Sequence, residues 1–590
     1  MLKILRKKFS ERMSHFKGPS NIRLLNQTIS EVFYQTAKRQ PSSEALVSVH
    51  QRKRFTWEEA NLKSDLLAKS LLGLKLEPES KIGIFAPNCY EWFLLQYAIA
   101  KAGMILVNIN PGYQQNDLKF CLNKVKVNAL IMPSSLKSSN YLHLMREISP
   151  DLYQKPQDPS NLKLQELKHL KQIVLLHNSA SGEHEDSSQY FKSIKENNLL
   201  SYDQLSEEFA LKCSDKDLKQ RQDYIKPHHP ANIQFTSGTT GLPKGALLSH
   251  FNILNNGYLV GSNLEYTEKD RVLITVPMYH CFGTVLGTLA AVSNGSTSIY
   301  SSAIFDSKKV LEVVENEKAS SLYGVPTMFL DILKNQDIMK KNVSSLRTGI
   351  VAGSLCPKPV FQRIIDELGL TNLVNCYGMT ELSPVTHYTK MNDSIELKTS
   401  TVGCNIPHTE SKIVNFDGQV VPVGTQGEIC TRGHGVMLGY YEDELNTKNC
   451  MDTDGYMKTG DLGVMNKEGF LTIVGRIKDV IIRGGENIAP IEIESFLLTN
   501  PEIEDVACFA VKDEKFGDEI CVWVKRKTGS KICKKEIVKF CKGKLAHFKI
   551  PRYVRFVDHF PLTVTGKVQK YIMRDVSNKI IEDKSENMEL

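Results

Sequence analysis

Short apolar runs alternate with helical stretches from Lys81 to about residue 480, and this alternation limits the fold more than any other feature. Lys81 to Phe85, Ile105 to Asn108, Ala129 to Met132 and Gln172 to Leu176 read as strands, and Tyr90 to Ala102 and Lys308 to Asn316 as helices. Strand–helix alternation is the pattern of α/β layering. At 590 residues the chain is too long for one core, so two or more domains are expected. No internal repeat is visible. The polar stretch from Lys137 to Lys226 reads as surface loops and variable helices, and Gly418 to Gly469 as a small β-rich subdomain. Beyond a candidate hinge at Gly475 to Asp479, Ile491 to Leu498 reads as a helix, Val506 to Val511 and Glu519 to Val524 as strands, and Lys534 to Leu545 as a basic helix.

Composition excludes several classes. Hydrophobic residues make up 41% and charged residues 24%, which is ordinary for a globular chain. A net charge of +8 is mild at this length; it suits anionic ligands such as nucleotides and does not by itself argue for nucleic acid. The 13 cysteines are dispersed without a CxxC pair, which argues against a disulfide framework or a zinc site and for reduced thiols. No transmembrane segment is expected. The most apolar stretch, Ile82 to Ile109, is broken by Pro87, Asn88, Glu91 and Lys101, short of the ~20 clean residues a span needs. The first residues are basic and acid-poor, with Leu2, Ile4, Leu5 and Phe9 among Lys3, Arg6, Lys7 and Lys8. That start reads as mitochondrial targeting or as a basic arm; without targeting, the cytoplasm is the expected location.

The sharpest local signal is Phe235-Thr-Ser-Gly-Thr-Thr-Gly-Leu-Pro-Lys-Gly245. Gly238, Gly241 and Gly245 let the backbone approach an anion closely. Thr236, Ser237, Thr239 and Thr240 add hydroxyl donors, and the N–H groups can form an anion nest. Lys244 adds a point charge. Because Lys244 precedes Gly245, the order is not that of a P-loop ATPase.

Other motifs accompany it: Pro277-Met-Tyr-His-Cys-Phe-Gly283, Tyr377-Gly-Met-Thr-Glu381, Tyr456-Met-Lys-Thr-Gly-Asp461, Gly475-Arg476, Ile482-Arg-Gly-Gly-Glu-Asn487 and Pro561-Leu-Thr-Val-Thr-Gly-Lys567. Taken singly, Glu381 reads as a solvated loop acid, Asp461 as a turn residue, Tyr377 and His280 as core, and Lys567 as a surface lysine. Together and in this order they resemble the adenylate-forming superfamily of acyl-CoA synthetases, peptide-synthetase adenylation domains and beetle luciferases. The resemblance covers nearly the whole chain and is nearest to the mitochondrial medium-chain acyl-CoA synthetase family. Asn232-Ile-Gln-Phe-Thr, Leu322-Tyr-Gly-Val-Pro-Thr-Met-Phe, Arg483-Gly-Gly-Glu-Asn and His547-Phe-Lys-Ile-Pro match that branch. Ala489 departs from it where a bulkier residue, often Tyr, is expected.

The resemblance implies an α/β fold. A large multi-subdomain N-terminal domain, with two α/β sheets and a small β-rich subdomain, would precede a small mobile α+β C-terminal domain. Its boundaries would be 1–25 for the basic segment, 26–477 for the AMP-binding domain, 478–578 for the mobile domain with its hinge at Lys478, and 579–590 for a polar tail. It implies a two-step fatty acyl-CoA synthetase, an acid–thiol ligase, with ATP, Mg²⁺ and coenzyme A. Thr236, Ser237, Gly238, Thr239, Thr240, Gly241, Lys244, Gly353, Ser354, Gly378 and Thr380 would hold the nucleotide, and Tyr377 would stack on adenine. Glu381 and Thr236 would hold Mg²⁺, and Asp461 and Arg476 the ribose. His280 would meet the acyl carboxylate, Gly484 and Gly485 would lie along pantetheine, and Lys567 would neutralise charge during adenylation.

An acyl pocket is expected along Tyr279 to Phe282, Tyr323 to Met328, Val351 to Gly353 and Cys376 to Met379. No acid is placed there to meet a substrate amine, and no carrier domain is expected after the second domain; both readings argue against a peptide-synthetase domain. An aryl-CoA ligase or luciferase-like oxygenase of the same fold stays open, as does a scaffold that has lost catalysis. The lysines from Lys525 to Lys544 would attract the phosphates of coenzyme A or form a solvated face. A homodimer is the expected assembly.

Overall fold

The computed structural model describes residues 12–154, 158–177, 180, 187–196, 199–236, 243–335, 341–354, 356–483, 486–562 and 568–582. Contacts divide the chain into two units. One is Lys17–Glu410 with Arg432–Met457; the other is Met1–Phe16, Ser411–Thr431 and Lys458–Leu590.

Strand Ala129–Met132 explains the larger unit. Ala129 and Ile131 face one core, while Leu130 and Met132 face another. Strands buried on both faces read as continuous apolar runs, which is how this segment appears in the sequence. Among the described residues it belongs to an eight-stranded sheet, ordered Leu200–Ser201, Gln172–Leu175, Ala129–Met132, Lys81–Ile84, Ile105–Asn108, Pro230–Thr236, Lys244–Ser249, Gly439–Tyr440. Its strands are parallel as far as Pro230–Thr236 and antiparallel beyond. A second sheet, of nine strands among the described residues, has at its centre the parallel strands Asn372–Gly378, Thr348–Ala352, Ser321–Gly324, Arg271–Leu273, Thr297–Tyr300 and Glu44–Ser48.

One core cluster joins the facing sides of these two sheets through helices Tyr90–Lys101, His250–Asn263 and Ala290–Asn294. Helix Tyr90–Lys101 is buried from Glu91 to Lys101, so its apolar sequence needs no exposed face. Its last residue, Lys101, is enclosed by Asn61, Ser64 and Asp65. Burial pushes its ammonium pKa down to about 8 against the pull of Asp65.

Three sequence readings change. The polar stretch after Lys137 is not only surface: Leu162, Leu164, Leu167 and Leu170 are buried in the core behind the eight-stranded sheet. The β-rich region is interrupted, because Gly439–Tyr440 pairs with Leu247 and Ala246 in that sheet and takes residues 432–457 into the larger unit. The basic start is partly structural. Val423 donates its N–H to Arg12 O at 2.9 Å, Ser14 donates to Val421 O at 2.8 Å, and Ser14 O accepts from Ile413 at 2.9 Å.

In the second unit, Thr409–Val414, Gly427–Gly433, Met457–Met465 and Leu471–Arg476 form a sheet with His15–Lys17 at its edge. From Ile481 a further sheet is built on the long antiparallel pair Ile503–Asp513 and Gly517–Arg526. Helices Pro490–Leu497 and Lys534–Cys541 cover one face. Helix Lys570–Glu582 covers the other through Met573, with Trp523 Nε1 donating to Ser577 Oγ at 3.0 Å. All the cysteines are free and most are buried. Among the described residues no helix is long and apolar enough to cross a membrane.

Candidate active site

The hairpin of Pro230–Thr236 and Lys244–Ser249 forms one wall. Thr236 and Lys244 are cross-strand partners, so the residues flanking the glycine-rich loop are fixed at its mouth. Ser237, Gly238, Thr239, Thr240 and Gly241 lie outside the described residues. Lys244 Nζ donates to Asn446 Oδ1 at 2.8 Å and sits 5.2 Å from the centre of the Tyr440 ring, within cation–π range.

In open parallel sheets, ligands bind beyond the carboxyl ends of the strands. Thr348–Ala352 and Asn372–Gly378 bring Gly353, Ser354, Tyr377 and Gly378 to such an edge. A Cβ on Gly378 would fall 1.8 Å from Pro384 O, so only glycine permits the return that sets the short helix Thr380–Leu382. Glu381 is buried there, at 5% exposure. Its Oε1 accepts from Thr236 Oγ1 at 3.0 Å and from the Tyr440 hydroxyl at 2.8 Å. Burial, and then the Glu381 charge, raise the pKa of the Tyr440 phenol well above its usual value, so it remains a donor.

The donors are all oxygen, which suits a hard divalent cation. No group of three or more His, Cys, Asp or Glu among the described residues could hold a metal unaided. A cation at Glu381 would therefore draw further ligands from a bound phosphate, as Mg²⁺ commonly does.

His280 opens the turn before the π-helical segment Phe282–Leu289, a form frequent at functional sites. The Phe282 N–H donates to His280 Nδ1 at 3.2 Å, which leaves Nε2 to carry the ring proton of the neutral imidazole. Gly283 packs so closely that an added Cβ would lie 2.3 Å from Pro277 O. Cys281 Sγ lies 3.5 Å from His280 Nδ1 and 3.7 Å from Thr380 Oγ1. That contact joins the His280 turn to the Glu381 turn. Of the expected pocket lining, Tyr279, Met328 and Met379 are partly buried against the central core. Val351 instead faces the core on the far side of the nine-stranded sheet, because strand residues alternate faces.

The AMP-binding enzyme family matches residues 33–441, and the AMP-binding enzyme C-terminal domain matches residues 492–567. The chain belongs to the AMP-binding enzyme family. Medium-chain acyl-CoA ligase ACSF2, mitochondrial, of Bos taurus is 40% identical over 567 residues, covering 95% of this chain and 89% of that protein. YngI of Bacillus subtilis (strain 168) is 39% identical over 553 residues, covering 94% and 97%. Two solved structures share the fold. ATP-bound MatB from Rhodopseudomonas palustris has a TM-score of 0.74 at 21% identity, covering 94% of this chain and 100% of that one. The anthranilate CoA ligase AuaEII in complex with anthranoyl-AMP has 0.79 at 20% identity, covering 95% and 99%.

The second unit of this AMP-binding enzyme carries the remaining residues. Asp461 and Arg476 are cross-strand partners, with Nε donating to Oδ1 at 3.0 Å. Gly460, at φ +71°, donates its N–H to Glu428 Oε1 at 3.1 Å, and burial chiefly raises the pKa of that carboxyl. Lys478 lies in the short helix Ile477–Asp479 directly after Arg476. Gly484, Gly485 and Lys567 lie outside the described residues. Tyr440, Asn446 and Glu428 were not singled out by sequence. Tyr440 follows a glycine that no motif marks, and the other two acquire meaning only through their partners.

Proposed function

We propose that this chain is an ATP-dependent acid–thiol ligase that converts a medium-chain fatty acid, ATP and coenzyme A to the acyl-CoA, AMP and pyrophosphate. The observation that carries the reading is the buried Glu381 carboxylate, held by Thr236 beside the phosphate loop and connected through Cys281 to His280. The names of the ACSF2 relatives support the medium-chain substrate.

A carboxylate is a poor acyl donor because its leaving group would be oxide. Attack of a carboxylate oxygen on the α-phosphorus of ATP expels pyrophosphate and leaves an acyl-adenylate. Attack of the coenzyme A thiolate on the acyl carbon then expels AMP. His280 would orient the carboxylate through Nε2–H. The glycine-rich loop, Lys244, Gly353, Ser354, Gly378 and Thr380 would hold the nucleotide, with Tyr377 against adenine and Asp461 and Arg476 at the ribose. Glu381 and Thr236 would hold Mg²⁺, which when bound offsets phosphate charge. Lys567 would serve adenylation and the loop of Gly484 and Gly485 thioester formation, exchanged by a hinge at Lys478 between domains 26–477 and 478–578.

The test is coenzyme-A-dependent formation of AMP and pyrophosphate across saturated acids from acetate to palmitate, with Lys567→Ala alongside. Activity peaking near octanoate, and loss of adenylation in the variant, are expected. AMP formed only with aryl acids would replace the fatty acid by an aryl substrate; no AMP with any acid would end the ligase reading.

We also propose a mitochondrial location, which the relatives' names support. Processing would then have to spare Ser14, whose backbone is hydrogen-bonded to Val421 and Ile413. Imaging of the tagged full chain tests the location, and light scattering tests the expected homodimer.

A further inference from the structure

Resting on that reading, we propose that Thr284 is a positioning residue that holds His280 in register with the strand leading to Thr236. It sits at the centre of a buried network of amides and hydroxyls. Thr284 Oγ1 donates to His280 O at 3.1 Å. The same oxygen accepts from Gln234 Nε2 at 3.4 Å and from Asn108 Nδ2 at 3.5 Å, which uses both of its lone pairs. Gln234 Nε2 also donates to Asn232 Oδ1 at 2.7 Å, and Asn232 Nδ2 donates to Asn108 Oδ1 at 2.8 Å. Asn108 Nδ2 reaches Met278 O at 3.3 Å. Asn88 grips the same turn from another side, donating to Val276 O at 3.0 Å and accepting from Met278 N–H at 2.7 Å.

These side chains are all buried, in a chain segment whose neighbours Cys281, Phe282 and Val285 belong to the core cluster between the two sheets. Burying amides is costly unless each finds partners, and apolar residues would fill the space more simply. A satisfied network, in contrast, is rigid. This one ends at the His280 carbonyl on one side and at Gln234, two residues before Thr236, on the other. It therefore fixes the separation of the His280 turn from the strand that ends at Thr236. A displacement of about 1 Å between reacting groups costs up to ~100-fold in rate.

The experiment is adenylation kinetics with octanoate on the full chain carrying Thr284→Val, a near-isosteric change. The expected result is a kcat lower by roughly tenfold or more, with an ATP KM altered by less than about twofold. Thr284→Ser, which keeps the hydroxyl, should restore the rate. In a His280→Ala background Thr284→Val should add nothing further, because residues acting as one unit are not additive. Thr36→Val is the control: it removes another buried threonine hydroxyl from a carbonyl, that of Val292, and should keep wild-type kcat. A Thr284→Val kcat within about twofold of wild type would overturn the inference. So would an undiminished effect without His280, or an equal loss in Thr36→Val. A wild type that adenylates no acid would overturn this inference and the ligase reading together, whereas an active wild type with an indifferent Thr284 overturns this inference alone.

Discussion

Glu381 and Asp461 are both acids proposed to serve one nucleotide, yet the two units hold them in opposite ways. Glu381 is enclosed and receives two neutral hydroxyl donors. Asp461 is nearly as buried but lies against a guanidinium whose side chain is 53% exposed. Hydroxyl donors orient a carboxylate without cancelling its charge, so Glu381 remains available to a cation. Asp461 already has a counter-charge, and solvent screens that pair. The first arrangement is specific and costly to break; the second is cheap to form and cheap to lose.

The largest effect should come from Glu381→Ala. It should lower kcat by roughly 100-fold or more. It would also remove the partner of two half-buried hydroxyls, at a stability cost of about 1 kcal/mol, readable by urea unfolding. Retained activity would break the contrast at its stronger end.

Tyr440→Phe should act in the same direction but less, by about tenfold in kcat. The ring under Lys244 is kept, so the KM for ATP should hold. A raised KM for ATP with kcat unchanged would mean that the hydroxyl serves nucleotide binding rather than the orientation of Glu381.

His387 offers a pH test beside the site. It is fully buried next to Thr386 and Tyr377, and burial lowers its pKa to about 3. Above its ordinary value near 6.5 the ring is neutral in both states. Below that, the unfolded chain takes up a proton that the folded chain refuses, so stability falls as pH drops. From pH 7 to 5 the loss should be about 2 kcal/mol. His387→Phe should lose less over the same range; an unchanged slope would assign the acid sensitivity elsewhere.

The smallest stability effect should be that of Arg476→Ala. An exposed pair is worth at most about 1 kcal/mol, so the unfolding midpoint should barely move while the KM for ATP rises. A large drop in stability would show that the two acids are held alike.

Much of the scaffold was readable in advance because buried parallel strands leave unbroken apolar runs. Ile105–Asn108 and Ala129–Met132 fall where the sequence put them. The candidate site was readable where chemistry demands unusual residues in a row, as at Thr236, Lys244 and Tyr377 to Glu381. It was unreadable where a partner arrives from far along the chain. Tyr440 reaches Glu381 across 59 residues and Asn446 reaches Lys244 across 202. The departure of residues 432–457 from the β-rich region was hidden for the same reason: two residues of pairing with Leu247 and Ala246 leave no periodicity to detect.

The sequence by itself determined that this chain layers helices on sheets, that it carries a glycine- and threonine-rich loop with a lysine at its end, and which residue types the proposed adenylation would draw on. These follow from local properties: side-chain period, glycine's freedom and the fixed spacing within a motif. Only the tertiary structure decided that Glu381 is enclosed by Thr236 and Tyr440, that Val351 faces away from the site, and that Thr284 links His280 to the strand before the loop. Burial and hydrogen-bond satisfaction are properties of the whole packed interior, and distant segments supply them only once the sheets have formed.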